Sequence, residues 1–307
     1  MDDSFAQKTE RLIQNIAGVV VAREEVLRLA ATGLLAGGHL LLNDLPGVGK
    51  TLLARSLAWS MGVVFKRIQF TPDLLPTDIT GASVYHQGRG EFQFIPGPVF
   101  ANIVLADEIN RASTRTQAAL LEAMGEGQVT VDGQTYVLPR PFWVIATQNE
   151  VDSYGTFPLP HAQLDRFLMS LSLGYPSDEQ QVTILERSEH GEATAGPALA
   201  AEELARMQGQ VLQVAVARPV KEYVARLLAA TRRYPQVVLG VSPRGGVQLQ
   251  RAAQAWAALH GRSYVAPEDV KAVAVATLAH RLLIDPSAAT SAREMVTDLL
   301  TQVPVPV

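Results

Sequence analysis

His39-Leu40-Leu41-Leu42-Asn43-Asp44-Leu45-Pro46-Gly47-Val48-Gly49-Lys50-Thr51 is the stretch whose reading decides the fold. Its apolar first part reads as a buried strand, its centre as a glycine turn, and its end as the opening of a helix. A phosphate group needs that arrangement. Backbone N–H groups freed by a tight turn converge on the anion, and the helix N-terminus adds partial positive charge. Lys50 is placed to reach β- and γ-phosphates, and the Thr51 hydroxyl to sit on Mg²⁺. The usual pattern is Gly-x-x-x-x-Gly-Lys-Ser/Thr, and Asp44 stands where its first glycine belongs. Taken alone, the segment also reads as a glycine-rich loop before an ordinary helix, so the decision passes to its surroundings.

Outward from this loop, strands alternate with helices. Helical spacing is expected at about Thr9–Ile16 and Arg23–Leu35, the latter stopping at Gly37-Gly38. A helix near Lys50–Ser60 leads to a strand at Val63–Phe70. The run Ile103-Val104-Leu105-Ala106 reads as a buried strand, followed by helix Ser113–Met124 and strands at Phe142–Ala146 and Met169–Leu173. Short apolar strands separated by helices imply a parallel sheet covered on both faces. Two hairpins interrupt the rhythm, at about 83–95 around Gly88-Arg89-Gly90 and at about 128–138 around Asp132-Gly133. Their tips are candidate partner or substrate contacts, or else they cap the fold or pack at a subunit interface.

From Pro176 the character changes. Ser177 with Gln180 reads as a capping box opening a helix to about Ser188, and His190–Ala200 as a linker. Beyond it the pattern is helical, over Ala201–Val214, Lys221–Arg232, Arg244–Leu259 and Pro267–Ala279, with almost no strand patterning. The expected division is a core at 1–175, a connecting helix and linker at 176–200 and a helical domain at 201–307. With 48% hydrophobic and 18% charged residues, the chain has the composition of a globular protein. It has no cysteine, so disulfides and thiolate metal sites are excluded, and no signal-like N-terminus or long apolar run, so a cytoplasmic protein is expected. A net charge of −4 argues against broad capture of nucleic acid. The six histidines lack paired metal-site spacing.

Chemistry concentrates at strand ends. Asp107-Glu108 follows four apolar residues, which places two carboxylates at the C-terminal end of a parallel strand, where ligands bind in open α/β sheets. Asp107 can hold Mg²⁺ and Glu108 can deprotonate an attacking water. Asn149 follows Ala146-Thr147-Gln148 and is expected at the same sheet edge, beside Glu108; it also reads as an ordinary strand-terminating asparagine. Leu164-Asp165-Arg166-Phe167 places Arg166 in a helical turn before the last strand, as a surface ion-pair former or as an arginine finger. Arg244 lies in the first turn of a helix, where a cation opposes the dipole unless an anion compensates.

This order of elements resembles the AAA+ ATPases. Pro72-Asp73-Leu74-Leu75-Pro76-Thr77-Asp78-Ile79-Thr80-Gly81, Asp107-Glu108-Ile109-Asn110-Arg111-Ala112, Leu120-Leu121-Glu122-Ala123-Met124, Phe157–Phe167, Gly240-Val241-Ser242-Pro243-Arg244 and Val265–Val270 are similar to the MoxR branch, over about Val19–His280. The resemblance implies a P-loop AAA+ fold, with a five-stranded parallel sheet flanked by helices, two inserted hairpins and a C-terminal all-helical lid. It implies ATP binding by Pro46, Gly47, Val48, Gly49, Lys50, Thr51 and Leu52, with Lys50 and Thr51 as the Walker A pair and Asp107 and Glu108 as the Walker B pair. Mg²⁺ falls to Thr51 and Asp107, while Asn149 becomes sensor 1, Arg166 the arginine finger and Arg244 sensor 2. Three positions depart from the pattern: Asp44 for glycine, Ala22 for a glycine near the adenine, and His161 for glutamate.

The activity so implied is Mg-ATP hydrolysis by a closed, hexameric ring, coupled to chaperone-like remodelling, assembly or maturation of a partner protein. The partner class is a protein with a von Willebrand factor A domain, with neither nucleic-acid binding nor membrane insertion expected. The alternatives are a nucleic-acid remodelling motor, an ATP-dependent scaffold, and a chelatase-type subunit.

Overall fold

The structure, a computed structural model, describes residues 3–149, 155–189 and 196–306. Helices α1 (Asp3–Ala17) and α2 (Glu24–Leu35) precede β1 (Leu40–Asn43) and α3 (Lys50–Met61). Next come β2 (Phe65–Gln69), the short α4 (Pro76–Thr80), the hairpin β3 (Gly81–His86) and β4 (Glu91–Pro96), and β5 (Ile103–Asp107). Helix α5 (Thr114–Glu126) leads to a second hairpin, β6 (Gln128–Val131) and β7 (Gln134–Val137), then β8 (Trp143–Gln148), α6 (His161–Leu164) and β9 (Met169–Leu171). The rest comprises α7 (Asp178–Glu189), α8 (Ala201–Val211), α9 (Arg218–Thr231), β10 (Val237–Leu239), α10 (Pro243–Leu259), α11 (Pro267–Leu278), β11 (Leu283–Ile284) and α12 (Ala292–Gln302).

The expected five-stranded parallel sheet is present, in the order β2-β5-β8-β1-β9. Its register decides where the chemistry falls. Asn43 lies opposite Gln148, Ala106 opposite Ala146, and Gln69 opposite Asp107. The C-terminal ends of β1, β2, β5 and β8 therefore share one edge, and the loops that leave them start side by side.

Side chains alternate across the strands. Leu40, Leu42, Ile103, Leu105 and Ile145 enter one core with α1, α2 and α3, while Leu41, Val104, Ala106, Val144 and Ala146 enter another with α5. The first core continues through Leu204, Tyr223, Leu249 and Val270, so the N-terminal helices and the helical second half share one apolar interior.

Local signals explain several helix ends. The Ser113 hydroxyl accepts from Thr116 N to start α5, and Gly127, at φ 63°, ends it. The capping box at Ser177 and Gln180 is formed (3.0 and 3.3 Å). A second box, Ser291 with Glu294, opens α12, a helix the sequence reading did not delimit. Helix α9 starts at Arg218, ahead of the expected Lys221, because Pro219 fits the first turn. The helical half is not free of strands either. Two short ones, β10 and β11, pair antiparallel through Val237 with Ile284 and Leu239 with Leu283. They are too short for sequence alternation to register.

The hairpins are formed as expected. Asp132 and Gly133 take φ of 50° and 78°, the left-handed pair that a two-residue hairpin turn requires. The two hairpins meet at Phe94 and Tyr136, whose rings stack at 4.0 Å between centroids. No helix among the described residues is long and apolar enough to cross a membrane.

Candidate functional site

The turn between β1 and α3 depends on its glycines for backbone conformation. Gly47 and Gly49 have φ of 83° and 97°, and open space surrounds the position of an added Cβ at each. A side chain there would be strained by the left-handed backbone, not by a clash. Gly49 directly precedes α3, so the free N–H groups of the first helical turn face the loop. Lys50 is buried, and its ammonium donates to the carbonyls of Asp44 (2.9 Å) and Leu45 (3.1 Å). Burial lowers its pKa from the ordinary lysine value, while the charges of Asp44, Asp107 and Glu108 oppose that shift. Lysine and both carboxylates thus share one electrostatic environment. Thr51 is the second residue of α3.

Asp44 turns out to be a structural anchor. Its backbone is not left-handed: among the described residues, only Glu108, Asp132 and Gln236 combine a side chain with positive φ. The buried carboxylate turns toward the end of β9, where it accepts from Ser172 Oγ (3.1 Å), Leu173 N and Gly174 N (3.1 Å). The start of the phosphate loop is thereby fastened to the segment that leads into α7.

Asp107 and Glu108 stand at the end of β5, and Thr147 on β8 holds both. Its hydroxyl donates to Asp107 Oδ1 (2.7 Å) and accepts from Glu108 N (2.8 Å). Glu108 adopts φ 54° and ψ 50°, a left-handed conformation unusual for glutamate, which turns the chain out of the strand. Its carboxylate accepts from Gln69 Nε2 (2.9 Å) and pairs with Arg111 (3.1 Å). Arg67, also on β2, donates to Asp107 Oδ2 (Nε at 3.0 Å). Thr147, Arg67 and Gln69 went unremarked in the sequence. A hydroxyl in a fully buried strand and a polar Lys66-Arg67-Ile68-Gln69 edge strand are the signals that pointed to them.

Hard oxygen donors at Thr51 and Asp107 suit Mg²⁺, and a cation, the Arg67 guanidinium, already contacts Asp107. Among the described residues, no group of three or more His, Cys, Asp or Glu is arranged to hold a metal.

A cavity of about 780 Å³ opens beside the loop, lined by Val20, Ala22, Val48, Leu52, Tyr175 and Ile184 among others. Its apolar walls and the adjacent amides suit a heterocyclic base linked to phosphates. Ala22, one of the departures from the family pattern, lies in this wall.

Asn149 is buried and directly follows β8, at the same edge as Glu108. Arg166 lies elsewhere. Its guanidinium donates to the Leu121 carbonyl of α5 and packs near Gly125. Arg244 is exposed in the first turn of α10, whose N-cap hydroxyl, on Ser242, accepts from Gly245 N (3.1 Å). The structure therefore gathers Lys50, Thr51, Asp107, Glu108 and Asn149 at one edge of the sheet and leaves Arg166 on the α5 side.

Comparison with known proteins places this geometry in a family. Residues 39–169 match the model of the ATPase family associated with various cellular activities (AAA), and residues 229–302 match the AAA lid domain. Chaperone MoxR1 of Mycobacterium tuberculosis is 42% identical, over 90% of this chain and 75% of its own length. Protein MoxR of Methylorubrum extorquens is 32% identical, over 95% and 92%. An uncharacterized protein, YeaC, of Bacillus subtilis is 49% identical, over 97% and 94%. A crystal structure of a protein from Cytophaga hutchinsonii, proposed to be an ATPase, superimposes with a TM-score of 0.91 at 36% identity, covering 99% of this chain and 96% of that one. With the loop, the sheet order, the carboxylates and the lid all in place, this chain belongs to the MoxR family of AAA+ ATPases.

Proposed function

We propose that the protein hydrolyses ATP and uses the energy to remodel or assemble a partner protein. The observation that carries this reading is the meeting of Lys50, Asp107 and Glu108 at the mouth of a glycine turn, at the C-terminal edge of a parallel sheet. The loop amides and Lys50 hold the β- and γ-phosphates. Glu108 takes a proton from water as the water oxygen bonds to the γ-phosphorus and the bond to the ADP oxygen breaks. Asn149 orients that water. Thr51 and Asp107 would hold Mg²⁺, which supplies charge neutralisation at the phosphates. Arg166 of an adjacent subunit stabilises the charge of the transferring group, so the working form is a closed ring, hexameric by family resemblance.

The hairpin surface favours a protein client over nucleic acid. Phe92 and Tyr85 expose 72% and 52% of their surface, with Ile95 at 53%, whereas Arg89 faces Glu91 (3.9 Å). Apolar exposure of this kind suits a polypeptide, and a nucleic-acid surface would need a basic stripe. The partner class that comes with the family resemblance is a von Willebrand factor A domain protein.

Phosphate release and binding of a fluorescent ATP analogue test the reading together. Lys50→Ala should lose binding, and Glu108→Gln should bind while losing turnover by roughly two to four orders of magnitude. Wild-type turnover in Glu108→Gln would overturn the assignment.

A further inference from the structure

The Asp107 carboxylate is engaged at both oxygens by groups of this chain. Oδ1 accepts from the Thr147 hydroxyl (2.7 Å), and Oδ2 accepts from both Nε (3.0 Å) and Nη2 (2.5 Å) of Arg67. A carboxylate oxygen offers about two lone-pair sites. The Arg67 fork fills those of Oδ2, while Oδ1 keeps one beside Thr147. The Lys50 ammonium is committed elsewhere, to the carbonyls of Asp44 and Leu45.

Burial explains why the pair forms. The Asp107 side chain is only 10% exposed, and a carboxylate so far from water is costly without a counter-charge. Arg67 supplies that charge from β2, the edge strand of the sheet, and Gln69 Oε1 steadies its Nη2 (2.7 Å). Arg67 itself keeps 49% of its side-chain surface exposed. Its guanidinium can turn out to water with little loss of packing or solvation. Asp107 stays where β5 and Thr147 hold it. One partner of the pair is fixed, and the other can leave.

We propose that Arg67 is the resident counter-cation of Asp107 and sets the affinity of the site for Mg²⁺ by competing with it. This rests on the reading of Thr51 and Asp107 as metal-holding residues. Arg67 must swing away for Oδ2 to face a divalent ion. If Oδ1 is used instead, the guanidinium stays close and opposes the ion by charge. Both routes leave the site weaker than an unpaired Asp107 would make it. The phosphates of a bound nucleotide bring the negative charge that tips the exchange, so Arg67 ties metal retention to an occupied phosphate loop. A half-exposed ion pair of this kind is formed in roughly 70–90% of molecules, which lowers the apparent metal affinity about 3- to 10-fold.

The test reads metal binding, not turnover. Mn²⁺, an oxygen-seeking stand-in for Mg²⁺, is titrated into full-length protein held in excess of ADP. The electron paramagnetic resonance signal of free Mn²⁺ gives its dissociation constant. Arg67→Ala, and Arg67→Met, which keeps an apolar stem on β2, should each bind Mn²⁺ about 3- to 10-fold more tightly than wild type. General damage to the fold loosens a site, so a gain of affinity separates competition from disruption. Unchanged or weaker Mn²⁺ binding in the Arg67 variants would overturn the proposal. Asp107→Asn is the control. If it weakens Mn²⁺ binding while the Arg67 variants bring no gain, only the competition fails. If it binds Mn²⁺ as wild type does, the metal assignment fails with it.

Discussion

Replacing Asp44 with glycine would restore the family's usual phosphate loop, and the geometry requires that this damage the protein. A strict pattern treats Asp44 as a defect, which Asp44→Gly repairs. In the structure the Asp44 backbone is not left-handed, so glycine's freedom relieves nothing. The lost carboxylate, however, accepts from Ser172 Oγ, Leu173 N and Gly174 N. Hydrogen bonds to a charged group are worth about 1.5–3 kcal/mol each, but the three share one carboxylate and water can enter to serve the more exposed donors. Counting one bond in full for the buried Leu173 N–H and part of the others, and adding about 0.5–1 kcal/mol for the chain entropy of glycine, gives roughly 3 kcal/mol. That is about two powers of ten in the folding equilibrium. At about 2–4 °C per kcal/mol the melting temperature should fall by roughly 6–12 °C. Asp44→Asn should do less harm than Asp44→Gly but still destabilise, since its amide keeps one accepting oxygen and turns an NH2 toward the remaining donor. Lys50 should be affected too, because the Asp44 charge supports its protonated form. Urea denaturation of wild type, Asp44→Gly and Asp44→Asn measures the cost directly. Asp44→Gly within about 0.5 kcal/mol of wild type would refute the anchor.

Three further outcomes can be checked on the same samples. His39 is buried with Nδ1 accepting from Val144 N (3.0 Å) and Nε2 facing the Met124 carbonyl (3.1 Å), a set only the neutral ring satisfies; burial lowers its pKa from 6.5 to about 4. The unfolded chain takes up that proton first, so stability is full above about pH 6.5 and falls as pH drops toward 4, by about 2 kcal/mol between pH 7.5 and pH 5. His280 is displaced in the same direction, chiefly by burial. An identical pH dependence in His39→Gln would remove His39 as the source. Gly38→Ala should cost about 1–3 kcal/mol, because its Cβ would lie 2.4 Å from Leu168 Cβ, which cannot move without the strand it leads; unaltered denaturation would exclude that clash. Thr147→Val preserves shape but strips Asp107 Oδ1 and Glu108 N of their shared partner, so stability should fall about 1–3 kcal/mol and ATP turnover more than ATP affinity. Equal loss of both kinetic parameters would argue that Thr147 serves only packing.

What could be read from the sequence, and what could not, follows from the range of each interaction. The glycine turn, the apolar strands and the capping box at Ser177 are local, each requiring a few neighbouring residues of definite type, so their presence implies their conformation. Catalytic candidates were legible for a related reason: Lys50, Asp107, Glu108 and Asn149 all lie at or just beyond strand ends, and a parallel sheet sends its C-terminal ends to one edge. The supporting residues obey no such rule. Thr147 meets Asp107 across 40 positions, Asp44 meets Leu173 across 129, and Arg281 meets Asp165 across 116. In the sequence each is a common residue in common company. Yet each belongs to a class that rarely goes underground alone: a hydroxyl in an apolar strand, a carboxylate beside a glycine turn, an arginine amid Leu278, Ala279, Leu282 and Leu283. Burial of such a group demands a partner, even when the sequence cannot name it. A departure from a family pattern can be read in the same way. Asp44 first looks like a lost glycine, but a buried carboxylate in a loop proposed to bind anions would be costly unless it faced donors elsewhere, and it does.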